Sequence, residues 1–236
     1  MFKTNFRIFT LSLLTSFVGS MATAQEASSE VELNAISSEE AAQGWKLLFD
    51  GKTTKGWHNY RKDTVGSGWK VIDGALVRAE KGAGDILTNE EYGAFELSLD
   101  YKISPAGNSG VIYHVKNTGN TPWQTGPEIQ IQDNIDGHDP QKCGWLYQLY
   151  PSKVDATKPP GQWNTLRVVI TPDKCEHYMN GVKYCEYVKG SDDWKKKVAA
   201  SKFSKFEGFG EPTEGYLCLQ DHNDEVAYRN IKIRPL

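Results

Sequence analysis

Phe95-Glu-Leu-Ser-Leu-Asp-Tyr-Lys-Ile103 alternates apolar and polar residues without a break. A helix repeats every 3.6 residues and cannot keep such a run on one side, whereas a strand sends successive side chains to opposite faces. Shorter runs of the same kind recur along the chain. Trp69-Lys-Val-Ile72 and Ala75-Leu-Val-Arg78 are joined by Asp73-Gly74 and read as a hairpin, and Trp163 to Ile170 runs into a second hairpin around Met179-Asn-Gly181. Gly215 to Leu219 is expected to pair with Val226 to Ile233. Many short strands separated by turns predict a two-sheet antiparallel sandwich of jelly-roll type.

Two segments depart from this pattern. Ser37-Ser-Glu-Glu40 fits a capping box, opening a short helix that Gly44 ends. Ser191 is placed to cap Asp192 to Val198, with acids in the first turn and lysines after them, as the helix dipole favours.

The N-terminus reads as a removable address. Lys3 and Arg7 precede the apolar run Ile8 to Val18, which is too short to span a bilayer, and Ala22-Thr-Ala24 supplies small residues for cleavage. The expected division is a signal peptide over 1–24, a polar leader with the short helix over 25–43, and one domain over 44–236. The mature protein is then periplasmic or secreted, with no membrane span. A net charge of -3 with interspersed signs argues against nucleic acid as a partner.

The four cysteines include no Cys-x-x-Cys pair, so a zinc ribbon has no support. If Met179-Asn-Gly181 is a three-residue turn, Cys175 and Cys185 fall opposite each other, leaving a cross-strand disulfide or two buried thiols as alternatives.

Chemistry concentrates in Glu128-Ile-Gln-Ile-Gln-Asp133. As a strand it turns Ile129 and Ile131 into a core and aligns Glu128, Gln130 and Gln132 on the other face. Three long hydrogen-bonding side chains in a row suit a surface that holds a hydroxyl-rich ligand, though a solvated sheet face has the same pattern. Asn108-Ser-Gly-Val-Ile-Tyr-His114 and Leu219-Gln-Asp-His222 share this character. Gln220 and His222 fall on one face, while Asp221 faces the other way. Seven Trp and eleven Tyr are many for this length, and aromatics stack on sugars as well as filling cores. Trp123 and Trp145, in loop-rich stretches, are the expected stacking platforms. Trp45, Trp57, Trp69 and Trp163 are expected in the core.

The order of Gly44-Trp-Lys-Leu-Leu-Phe-Asp-Gly51, Asn108 to His114, Thr125-Gly-Pro-Glu128, Gly161-Gln-Trp-Asn164, His177-Tyr-Met-Asn-Gly181 and Leu219-Gln-Asp-His222 resembles the secreted bacterial 3-keto-disaccharide hydrolases, also described as 3-keto-glucoside 1,2-lyases and hydratases. The resemblance implies a concanavalin A-like jelly roll acting on sugars oxidised at C3, and hence a functional link to a sugar 3-oxidoreductase. Many members carry Arg where this chain has His114.

A ketone at C3 acidifies the C2 proton, so a base can form an enolate that expels the C1 substituent. Hydration of the product completes a net hydrolysis. The site needs a base, a group to stabilise the enolate oxygen and a proton donor. On this reading Glu128, His114 and His222 are the catalytic candidates, and Gln130, Gln132, Gln220, Trp123, Trp145 and Arg229 contact substrate. Glu128 could act as base or hold a divalent metal ion; its structural alternative is an ion pair with Arg167. The site strand offers no second carboxyl for an ordinary glycosidase. A carbohydrate-binding module of the same fold is the alternative function.

Overall fold

The computed structural model describes residues 1–3 and 32–236, so most of the expected signal peptide lies outside the described residues. In chain order the strands are β1 (Lys46–Leu47), β2 (Trp57–Asn59), β3 (Trp69–Ile72), β4 (Ala75–Arg78), β5 (Ile86–Tyr92), β6 (Phe95–Ile103) and β7 (Asn108–Val115). They continue as β8 (Glu128–Gln132), β9 (Asn164–Ile170), β10 (Cys175–Met179), β11 (Val182–Tyr187), β12 (Gly215–Leu219) and β13 (Val226–Pro235). The helices are α1 (Ser38–Ala42) and α2 (Asp192–Ala199), the latter followed by a 3₁₀ turn at Lys202–Lys205.

Two antiparallel sheets form the expected jelly-roll sandwich. One has the order β11-β10-β9-β6-β13-β4-β3, with β1 beside β13; the other has the order β2-β5-β12-β7-β8. Leu97, Leu99 and Tyr101 from the first sheet meet Val111, Ile129, Ile131 and Leu219 from the second in one buried core. Burying each such side chain stabilises the fold by roughly 1.5–3 kcal/mol. The inner face of β13 changes parity midway. Asn230 adopts a left-handed φ of 51°, inserting a bulge that turns Ile231 and Ile233 inward after Val226 and Tyr228.

The helix ends follow the sequence. Ser37 and Glu40 close a reciprocal capping box, and the Ser191 side chain accepts from the Trp194 amide. Three expectations need correction. β12 and β13 do not pair with each other; they lie in different sheets, β12 between β5 and β7, and β13 between β6 and β4. The Met179–Val182 connection is a two-residue turn, with Asn180 and Gly181 both at positive φ. That shorter loop and a bulge at His177/Tyr178 set Cys185 opposite His177, and Cys175 opposite Tyr187. All four cysteines are free. Finally, Trp57 and Trp69 are core residues, but Trp45 and Trp163 are half-buried, with Arg234 over one ring and Lys102 and Arg229 over the other.

Candidate active site

The site lies on the outer face of the five-stranded sheet, and cross-strand register builds it. Ile112 pairs with Glu128, Gly110 with Gln130 and Asn108 with Gln132, so Glu128 and Gln130 share a face with Gly110 and Asn108. Just past β12, the Gln220 backbone N–H donates to the Gly110 carbonyl. Gly110 leaves the space that Glu128 fills, because a Cβ there would lie 2.8 Å from Glu128 Oε1.

Trp123, Glu128, Gln130, Gln220 and His222 line one cavity of about 170 Å³ together with Asn108, Asp139, Tyr147 and Lys202. Glu128 is 5% exposed and ion-pairs with no cation among the described residues; Arg167 instead binds Glu96 at 2.5 Å. Burial pushes the Glu128 carboxyl up to about 7, while the nearby Lys202 ammonium and a hydrogen bond from the Gln220 side chain oppose the rise. With its amide nitrogen turned toward the carboxylate, Gln130 donates at 3.2 Å to Glu128 Oε1. A carboxyl poised near neutrality is suited to taking a proton.

Lys202, Tyr147 and Asp139 were not among the sequence candidates. The Tyr147 hydroxyl donates to Asp139 at 2.7 Å, and Lys202 Nζ lies over the rings of Tyr147 and Trp123 at 4.1 and 5.1 Å. Burial lowers the Lys202 pKa, against the raising influence of Glu128 and Asp139. Asp139 therefore supplies the second cavity carboxylate that the site strand lacks, but Tyr147 and the Gln141 amide already occupy its two oxygens. The aromatic-rich stretch Phe203 to Phe209 was the available signal for Lys202, since such residues must pack on something. Tyr147 lies two positions from the expected Trp145.

Two buried acceptors of the cavity wall, Asn108 Oδ1 and Gln220 Oε1, have no partner. Such atoms are costly unless a ligand or water satisfies them. Asp85 immediately precedes β5, accepts from the Asp221 backbone amide at 2.8 Å and is pushed by burial up to about 6, with His222 acting in the opposite direction. Asp221 itself binds Arg78 at 2.6 Å in a buried ion pair.

Four expected site residues lie elsewhere. His114 takes a left-handed φ of 53° at a bulge, which breaks the alternation of β7 and turns the ring away from Glu128. Its Nε2 donates to the Gly93 carbonyl at 2.8 Å, and burial and Lys189 lower its pKa to about 4. Gln132 is buried with its amide donating to the Asp139 and Gln141 carbonyls, so it anchors the loop behind the cavity. Trp145 packs against the core and does not line the cavity. Arg229 projects from the other sheet, beside Asp100 at 3.5 Å and over Trp163. Among the described residues no three His, Cys, Asp or Glu side chains converge as a metal site, and the groups acting on the Glu128 carboxyl are Lys202, the Gln220 side chain, Asp85 and Asp139.

Residues 44–234 match the 3-keto-alpha-glucoside-1,2-lyase-like domain family. The chain belongs to that family. It is 32% identical over 231 residues to a 3-keto-disaccharide hydrolase of Bacteroides thetaiotaomicron, covering 83% of this chain and 79% of the relative. A crystal structure from Parabacteroides distasonis, of a protein assigned by name to the glycosyl hydrolases, superposes with a TM-score of 0.82 at 36% identity, covering 87% of this chain and all of the other. A second such protein of that organism gives a TM-score of 0.63 at 29% identity over 81% of this chain and 99% of its own. This member of the 3-keto-alpha-glucoside-1,2-lyase-like family packs its buried Glu128 carboxylate against Gly110, with Lys202 close enough to act on its charge.

Proposed function

We propose that this protein cleaves glycosidic bonds of 3-keto-glycosides, 3-keto-disaccharides included, by elimination followed by hydration. It is an enzyme that breaks glycosidic bonds, and the observation that carries the finer reading is Glu128: a buried carboxyl held near neutrality, surrounded by amides. The cavity is smaller than the roughly 300–1,000 Å³ typical of drug-sized ligands, which suits one sugar ring.

Glu128 takes the C2 proton, and the C2–H electron pair delocalises onto the C3 oxygen as an enolate. The Lys202 ammonium stabilises that charge. The enolate then collapses and expels the C1 oxygen, which receives a proton from His222 at the cavity mouth. The product carries a C1–C2 double bond conjugated to the ketone. Water adding at C1, with a proton returned to C2, completes the hydrolysis. Trp123 stacks on the ring, Gln130 orients the Glu128 carboxylate, and Asn108 Oδ1 and Gln220 Oε1 accept from sugar hydroxyls.

The substrate must come from a reaction that oxidises a C3 hydroxyl, which implies a sugar oxidoreductase upstream. The basic, apolar and small-residue succession over 1–24 supports removal of a signal peptide and action in the periplasm or outside the cell.

Reaction in deuterated water tests the order of bond-breaking. Elimination places deuterium at C2 of the released 3-keto sugar, trapped early and compared with an enzyme-free control. Deuterium only at the control level would reassign Glu128 to direct displacement at C1.

A further inference from the structure

Lys189 follows β11 and is partly buried, its ammonium donating to His114 Nδ1 at 3.1 Å and to the Pro212 carbonyl. Both acceptors are neutral. Among the described residues no carboxylate pairs with this cation, and none contributes to its electrostatic surroundings. A buried charge ordinarily has a counter-charge, because desolvation is costly without one.

The surroundings hold this cation in place. The left-handed bulge at His114 aims the imidazole at Lys189, and Gly215 opposite has no room for a Cβ because the His114 backbone occupies it. Strained backbone that neighbouring residues enforce is a feature of the fold, not slack in it. Burial lowers the Lys189 pKa to about 8, which still leaves the amine largely protonated at neutral pH.

Lys189 also stands between two adjoining cavities that share it and Thr213. One, of about 140 Å³, runs past Ala94, Ile170 and Pro172; the other, of about 530 Å³, is walled by Trp194, Val198 and Phe209. The Trp194 and Phe209 rings are nearly parallel, 8° apart, with centroids separated by 6.5 Å. Glu211 borders the larger cavity, but it does not pair with Lys189. The exposed Lys195 also reaches the rim of the larger cavity, whereas Lys189 is the cation shared by both volumes. An apolar-walled volume with cations at its border is complementary to a flat apolar body carrying one negative charge.

We infer that this is a second ligand site, separate from the Glu128 cavity, which takes a small aromatic carboxylate whose charge pairs with Lys189 and whose ring lies against Trp194 and Phe209. The site is independent of the reaction assigned above, and its test reads binding alone.

Calorimetric titration of the full chain with phenylacetate in low-salt buffer should show saturable binding. Phenylacetamide, the neutral isostere, should bind at least tenfold more weakly, and Lys189→Met should weaken phenylacetate at least tenfold. Glu128→Gln should bind phenylacetate as the wild type does. Ala199→Trp, which fills the larger cavity from an exposed helix position, should abolish binding and serves as the test should Lys189→Met fail to fold. No binding to the wild type, equal binding of the amide, or binding that survives both substitutions would overturn the assignment. Loss of binding in Glu128→Gln would do so as well, since the ligand would then occupy the sugar cavity.

Discussion

Gly110 and Glu128 lie on neighbouring strands so close that a methyl group on the glycine would come within 2.8 Å of Glu128 Oε1. Gly110→Ala should therefore displace the carboxylate while keeping every charge in the site. Displacing a catalytic group by about 1 Å costs on the order of 10²-fold in rate, and overpacking costs roughly 1–3 kcal/mol of stability. Steady-state kinetics and thermal melting should both register the change. A variant with the wild-type rate would mean that the position of Glu128 does not matter to turnover.

Glu128 also makes stability depend on pH. Its carboxyl titrates at 4.5 in a solvated reference and near 7 in the fold, where burial disfavours the anion. The folded state thus holds a proton that the unfolded chain has lost, so stability present below pH 4.5 is lost as pH rises to about 7. Glu128→Gln removes this dependence. The melting temperature of the variant should gain on the wild type across that window by the equivalent of a few kcal/mol, while turnover falls about 10²–10⁴-fold or more. Parallel pH profiles of melting would show that the carboxyl does not titrate as assigned.

The base acts only when ionised, so kcat/KM for a 3-keto-glucoside should rise with pH through about 7. Lys202 opposes the upward shift of Glu128. In Lys202→Gln the rising limb should consequently move to higher pH, together with a loss of kcat from the unstabilised enolate. A lower kcat with an unmoved limb would give Lys202 a purely geometric role.

The Arg78–Asp221 ion pair is buried at both ends, with side chains 3% and 5% exposed. Asp221→Ala leaves the guanidinium without its partner, an arrangement that costs about 3–5 kcal/mol. Denaturant titration should show this as a lower midpoint. A loss below 1 kcal/mol would mean that water reaches Arg78.

Local rules carried much of this structure in the sequence. The unbroken alternation of β6, the Asp73-Gly74 turn and the Ser37 and Ser191 caps depend on residues a few positions apart, and all appear as expected. The errors arose where one residue changes a count. A two-residue turn in place of three moved Cys185 away from Cys175, and the His114 bulge reversed the parity of the strand's end. The strand face holding Glu128 and Gln130 could be read because it is local. Lys202 reaches the same cavity from a segment far along the chain and Asp139 from the loop after the site strand, and no periodicity encodes that meeting. The split of β12 and β13 between sheets is non-local in the same sense.

The carboxylate of the cavity stands on the sheet, but its cation does not. Lys202 is carried on the connection that follows α2, and α2 and that connection together wall the Lys189 cavity through Val198 and Phe209, with Phe203 and Phe209 of the connection stacked 4.0 Å apart. The two halves of the site can therefore change separately. Substitutions along 192–210 can retune the charge above the sugar, and with it which keto sugars are accepted, while the strands that hold the base keep their register.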